Sequence, residues 1–137
     1  LLEMSRKILL MTAGLAVEKY GEKLEREQEV LNDIANIVIS LYAIESCCLR
    51  AKKALEKLGA EKAAIQEDYA KVFVFEIFDQ VERLGRRILA ALEDGDVLRT
   101  QLAVLKKLTR FTPVNTVALK RRIAKEIIAK EQYVCAN

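Results

Sequence analysis

Apolar residues recur along the chain at steps of three and four, the spacing that lines one side of an α-helix, and no stretch keeps the strict alternation of a half-buried strand. In the first segment Ile8, Leu9, Met11, Thr12, Leu15 and Ala16, with Lys19, form one face through about Tyr20, and Gly21 marks a kink or boundary. A second, long helix is predicted over residues 22–58. Its core stripe is Leu24, Leu31, Ile34, Val38, Leu41, Tyr42, Cys48, Leu49 and Leu55. Gly59 stands where a C-terminal cap belongs.

A third helix is predicted over residues 60–93, with Ile65, Tyr69, Val72, Phe73, Ile77, Val81, Leu84 and Ile88 in one broad stripe. Asp94-Gly95-Asp96 reads as a turn. A fourth helix over 97–109 aligns Leu98, Leu102, Leu105 and Leu108. Thr112-Pro113 interrupts it, because proline disfavours helical geometry in the residue before it. A last helix covers 114–132. The fold class that follows is all-α: an antiparallel four- to five-helix bundle with two long central helices, in a single domain over 1–137. A chain of this length buries roughly 68% of its unfolded surface in one core. Leu1, rather than Met, at the start suggests a piece of something longer.

Composition agrees: 52% hydrophobic and 31% charged residues, with only five Gly and one Pro, describe a helix-rich chain. The longest uncharged run, Ile34 to Ile44 between Asp33 and Glu45, is shorter than the roughly 20 residues of a membrane-spanning helix, so no span is expected. Of three cysteines, Cys47 and Cys48 are helical neighbours that point in different directions. Reduced, buried thiols are therefore expected rather than a disulfide framework.

The absence of histidine bounds the chemistry. It removes Ser-His-Asp and Cys-His nucleophilic machinery, the Glu-x-x-His motif of di-iron bundles and any His-containing zinc site. The five glycines are scattered, so neither a P-loop nor a dinucleotide fingerprint occurs. No catalytic, cofactor-binding or metal-ligating residue is assigned. Glu45 and Glu76 fall near the stripes of helices two and three and could face each other as an acid-base pair, but neutralisation by Arg50, Lys52 or Lys53 is the expected arrangement. Glu25, Glu27 and Glu29, beside Lys23 and Arg26, read as a solvated helix face.

Two surfaces stand out as candidates. Tyr69 and Phe73 project from one face of helix three and Phe75 and Phe78 from another, which suggests burial on two sides: within the bundle and against a neighbouring domain or subunit. Charge is also uneven. Residues 1–95 hold 14 basic and 17 acidic side chains, whereas residues 96–137 hold nine basic and three acidic. Arg99, Lys106, Lys107, Arg110, Lys120, Arg121, Arg122 and Lys125 lie on short amphipathic helices, a pattern suited to an anionic surface such as phospholipid headgroups or an acidic protein face. Interleaved aromatics are lacking, so no nucleic-acid partner is expected.

The order Glu18-Lys19-Tyr20-Gly21, Glu27-Gln28, Leu31, Ile34-Ala35, Leu41-Tyr42-Ala43-Ile44 and Arg50-Ala51 resembles the C-terminal extension of very-long-chain acyl-CoA dehydrogenases. The later stretch Leu108-Thr109-Arg110-Phe111-Thr112-Pro113-Val114-Asn115 resembles bacterial members of that group. What the resemblance implies is a FAD-dependent parent that oxidises acyl-CoA thioesters at the α,β positions in fatty-acid β-oxidation. Its flavin, acyl-CoA pocket and catalytic glutamate would lie in preceding catalytic domains, so the fragment itself would not be an enzyme and would hold no cofactor. Its partners would be those domains and a second subunit of a homodimer. Its location would be cytoplasmic, peripheral at the membrane if the basic third makes surface contact. The alternative is a free-standing helical adaptor that binds anionic partners through Arg99 to Lys125.

Overall fold

A single backbone torsion converts the longest helical run into two helices. The structure, a computed structural model, describes residues 1–132. Its elements are α1 (Leu2–Tyr20), a 3₁₀ helix (Gly21–Arg26), α2 (Gln28–Leu92), α3 (Gly95–Leu108) and α4 (Thr116–Lys130). Within α2, Gly59 sits at φ 78°, ψ 166°, a region that only glycine occupies without strain. Residues 28–58 and 60–92 are therefore two arms, the two long helices that the spacing predicts.

The predicted boundaries shift where local chemistry intervenes. Gly21, at φ 53°, ends α1, and the six residues that start with it wind as a 3₁₀ helix that buries none of its side chains, so α2 begins at Gln28 rather than near residue 22. At the other end Asn115 caps α4, its side-chain oxygen accepting from the Ala118 amide at 3.0 Å, so the helix starts at Thr116 rather than at Val114.

The chain divides into two compact units. The first comprises Leu1–Tyr42 with Ile77–Thr112, and the second Ala43–Glu76 with the described residues from Pro113 onward. In the first unit, Ile8 and Ala16 of α1, Val30 and Ile37 of the first arm, Val81, Leu84, Ile88, Leu89 and Leu92 of the second arm and Leu105 of α3 form one core. Gly85 permits its tightest contact. A Cβ there would stand 3.0 Å from Ile8 Cγ2 and 3.5 Å from Leu105, so three helices converge where the side chain is absent. Phe78 closes the core edge-to-face on Phe111, ring centroids 5.3 Å apart. In the second unit Ile44, Ala54, Ala63, Ala70 and Ile123 are buried. The three alanines lie on either side of the Gly59 turn.

The core stripe of the first arm is not the one the apolar spacing selects. The buried line is Val30, Asp33, Ile37, Ser40 and Ile44, at steps of three and four, whereas Val38, Tyr42, Leu49 and Leu55 are exposed and so is Cys48. Two polar residues belong to the inward line because each has its partner there. Ser40 Oγ donates to the Asn36 carbonyl at 2.7 Å, and Asp33 is held by Arg87.

Replacing Gly59 with Ala places a Cβ in a strained torsion and should lower unfolding stability by about 1–3 kcal/mol. Gly14→Ala, in the exposed interior of α1 with open space around the new methyl, should raise it by about 0.5–1 kcal/mol. Urea unfolding followed by circular dichroism checks both signs.

Candidate functional site

Each unit contains one buried aspartate clasped by an arginine. In the first, Asp33 is 4% exposed, and Arg87 donates from Nε to Oδ2 at 2.7 Å and from Nη2 to Oδ1. In the second, Asp68 is 2% exposed, and Arg122 of α4 donates from the same two nitrogens to the same two oxygens. In both, the planar guanidinium meets the carboxylate edge to edge, the geometry in which two parallel charge-assisted bonds form. Bonding to Asp68 raises the Arg122 guanidinium further above its ordinary pKa, with the charge of the same carboxylate adding to it.

The two clasps share a sequence spacing: each aspartate precedes its arginine by 54 residues, and the second pair lies 35 residues after the first. The arginines fall in matching words, Leu84-Gly85-Arg86-Arg87-Ile88 and Leu119-Lys120-Arg121-Arg122-Ile123, in each of which the final isoleucine is buried. The same device is built twice, with the partner helices of each unit supplying one member each.

These pairings redistribute the basic residues expected to meet an anionic surface. Arg122 is committed to Asp68, Lys120 to Glu76, and Arg99 to Asp96 at 2.8 Å. Lys106, Lys107 and Arg110 are exposed in the first unit, Arg121 and Lys125 in the second. Glu76 is neutralised, but by Lys120 of α4 rather than by Arg50, Lys52 or Lys53.

The aromatic residues separate in the same way. Phe78 is fully buried in the core of the first unit and packs inward on Phe111, so it has no surface to offer a neighbour. Tyr69 and Phe75 are half-buried, and Phe73 is exposed in the second unit. Missed by periodicity is the outer face of the first α2 arm, where Val38, Ile39 and Tyr42 are exposed. α2 is also long and apolar enough to cross a membrane by length and composition, with an 18-residue stretch of mean hydropathy 1.4 of which 17% is buried. The uncharged run alone understates this stretch, since an isolated charge ends such a run without making the helix polar. The inward line of Ile37, Ser40 and Ile44 occupies one side of the same helix.

Two further features bear on chemistry. Cys47 is half-buried and Cys48 exposed, both free, so the expectation of buried thiols fails for Cys48. Burial pushes the Cys47 thiol above its ordinary pKa, with Cys48 adding to the effect and Arg50 opposing it. In the second unit an open groove of ≈ 310 Å³ runs beside the Asp68–Arg122 pair, lined also by Glu61, Ile65, Glu126 and Lys130. Three carboxylates and three basic side chains, Lys62, Arg122 and Lys130, line it, and no aromatic side chain is among them. Among the described residues no group of three or more acids and thiols is arranged to hold a metal ion.

Residues 4–107 match the acyl-CoA dehydrogenase C-terminal domain family. The chain belongs to that family. It is 45% identical over 133 residues to a probable acyl-CoA dehydrogenase of Bacillus subtilis (strain 168), a match that covers 97% of the chain and 22% of the relative. It is also 46% identical, with a TM-score of 0.95, to an acyl-CoA dehydrogenase from Bacillus anthracis whose crystal structure is complexed with FAD. That match covers 98% of the chain and 23% of the solved one. The chain thus spans under a quarter of the length of these relatives.

Removing Arg87 strands a buried carboxylate, so Arg87→Met should destabilise the first unit by about 2 kcal/mol, and Asp33→Asn in the same chain should recover part of that loss. Thermal unfolding of the single and double variants measures it. The raised Cys47 pKa means that the folded state favours the protonated thiol. Its contribution to stability is full below the unfolded thiol pKa and is lost as pH rises through the folded value. Alkylation of Cys47 by iodoacetamide, followed by mass spectrometry in a Cys48→Ser background, should accordingly reach its half-maximal rate at a pH above the ordinary thiol range.

Proposed function

We propose that these residues form the non-catalytic C-terminal helical domain of a FAD-dependent acyl-CoA dehydrogenase of the very-long-chain type, acting in fatty-acid β-oxidation. The observation that carries this reading is the near-complete match of the domain to the FAD-complexed dehydrogenase, set against its small share of that protein. A segment that matches a FAD-complexed dehydrogenase at 46% identity over only 23% of its length fits a part that supplies structure rather than chemistry. When bound in the parent, FAD would supply the two-electron oxidant that accepts hydride from the β carbon of the thioester, while a base would take the α-proton. The groups that bind it and abstract the α-proton belong to parts of the enzyme outside residues 1–137.

The domain's role is assembly. Its helices extend the catalytic domains and support a homodimer in the cytoplasm. Lys106, Lys107, Arg110, Arg121 and Lys125, all exposed, provide a secondary contact with anionic surfaces. Their exposure also favours a second reading, a free-standing helical adaptor for anionic partners.

The polypeptide containing these residues, recovered from its source with an antibody to this domain, is expected to be several times larger than 15.5 kDa and to show flavin absorption. Deleting residues 1–137 from it should lower its oligomeric mass and melting temperature. A colourless polypeptide near 15.5 kDa would favour the adaptor. A large flavin-bearing chain unaffected by the deletion would rule out the assembly role.

A further inference from the structure

On the first arm of α2, Ala35, Val38, Ile39 and Tyr42 follow one another at the three- and four-residue steps that make helical neighbours. All four are exposed: Val38 by 47%, Ile39 by 64% and Tyr42 by 74%. Single exposed apolar residues are ordinary, but a contiguous row of them on a helix marks a surface that something covers. The opposite side of the same helix is already spent on the first unit's core, through Val30, Ile37 and the clasped Asp33. The arm is therefore a packed element with a second apolar face.

Charge narrows the occupant. Between Arg26 and Arg50 the chain has no basic residue, whereas Glu27, Glu29, Asp33 and Glu45 fall in that interval. An anionic lipid surface recruits apolar helices through flanking lysines and arginines, and none stands here. Crossing a membrane would require withdrawing Asp33 and its ion pair from the core. A protein surface that is apolar at its centre and neutral or basic at its rim fits both the row and its flanks. More than three quarters of the length of the relatives lies outside the part this chain matches, and that remainder is the surface available within one polypeptide.

We propose that the Ala35–Val38–Ile39–Tyr42 face is the seat on which the dehydrogenase body of the same polypeptide docks, with Tyr42, its most exposed large side chain, at one end. The inference deepens the proposed function and rests on it. It also moves the docking surface from the aromatics of the second arm to the outer face of the first.

The test uses the full polypeptide that carries these residues, with p-benzoylphenylalanine in place of Tyr42 and, separately, of Val117, an exposed α4 residue outside the row. Flavin content is measured first, so that failure of the functional reading shows itself independently. In a flavin-bearing chain, irradiation should cross-link position 42 to a residue outside 1–137 of the same polypeptide, with a yield at least tenfold above that from position 117. Cross-links from 42 to the same domain of a second copy, to added phosphatidylglycerol vesicles, or to nothing would each overturn the docking assignment while leaving the function intact. As a second readout, Ile39→Glu should lower the melting temperature of the full chain by several degrees without changing the helicity of the domain. An unchanged melting temperature would contradict the proposal.

Discussion

A carboxylate cannot be left alone in an apolar interior, and the placement of Asp33 governs much of what this chain does. Burying an unpaired charge costs several kcal/mol, whereas a bidentate guanidinium satisfies both oxygens and leaves its own outer nitrogens in water. Arg87 meets that requirement from the second arm with a side chain that is 56% exposed. With Asp33 facing inward, the register of the first arm is set: Val30, Ile37, Ser40 and Ile44 follow it at helical steps, and Val38, Ile39 and Tyr42 are turned outward. The polar pair thus decides which apolar residues are left for another surface.

The second unit repeats the solution with Asp68 and Arg122, at the same spacing between partners and with the same nitrogen-to-oxygen pattern. Small residues accompany it: Ala54, Ala63 and Ala70 are buried where the first unit uses isoleucine, leucine and phenylalanine. A thinner apolar interior gives the ion pair a larger share in fixing how α4 sits on its unit.

Much of the fold was legible because glycine and proline punctuate it. Gly21, Gly59 and Asp94-Gly95 each fall at an element boundary, and Thr112-Pro113 separates α3 from α4. The stripes of α3 and α4 were equally readable, since their buried positions, Leu105 and Ile123, are apolar, whereas α1 buries Ser5 and Thr12 beside Ile8 and Ala16. The first arm of α2 was misread for a physical reason: counting large apolar residues selects Val38, Tyr42, Leu49 and Leu55 and passes over Asp33 and Ser40, whose polarity is cancelled only by partners the sequence does not announce. Phe78 was misassigned to an interface because its partner, Phe111, lies 33 residues away in the chain. A repeated Leu-x-Arg-Arg-Ile word was present throughout, and only the geometry shows that its second arginine is the one clasped.

Besides its two clasped aspartates, the domain has an exposed apolar face on the first arm of α2, which we propose the dehydrogenase body covers. Hydroxyl-radical footprinting of the full flavin-bearing chain tests that most directly, through the oxidation rate of Tyr42 measured against that of the buried Phe78. Covered by the dehydrogenase body, Tyr42 should be oxidised nearly as slowly as Phe78. Oxidation at the rate of a solvent-exposed tyrosine would show that its face is free and would contradict the assignment of this domain's outer α2 surface.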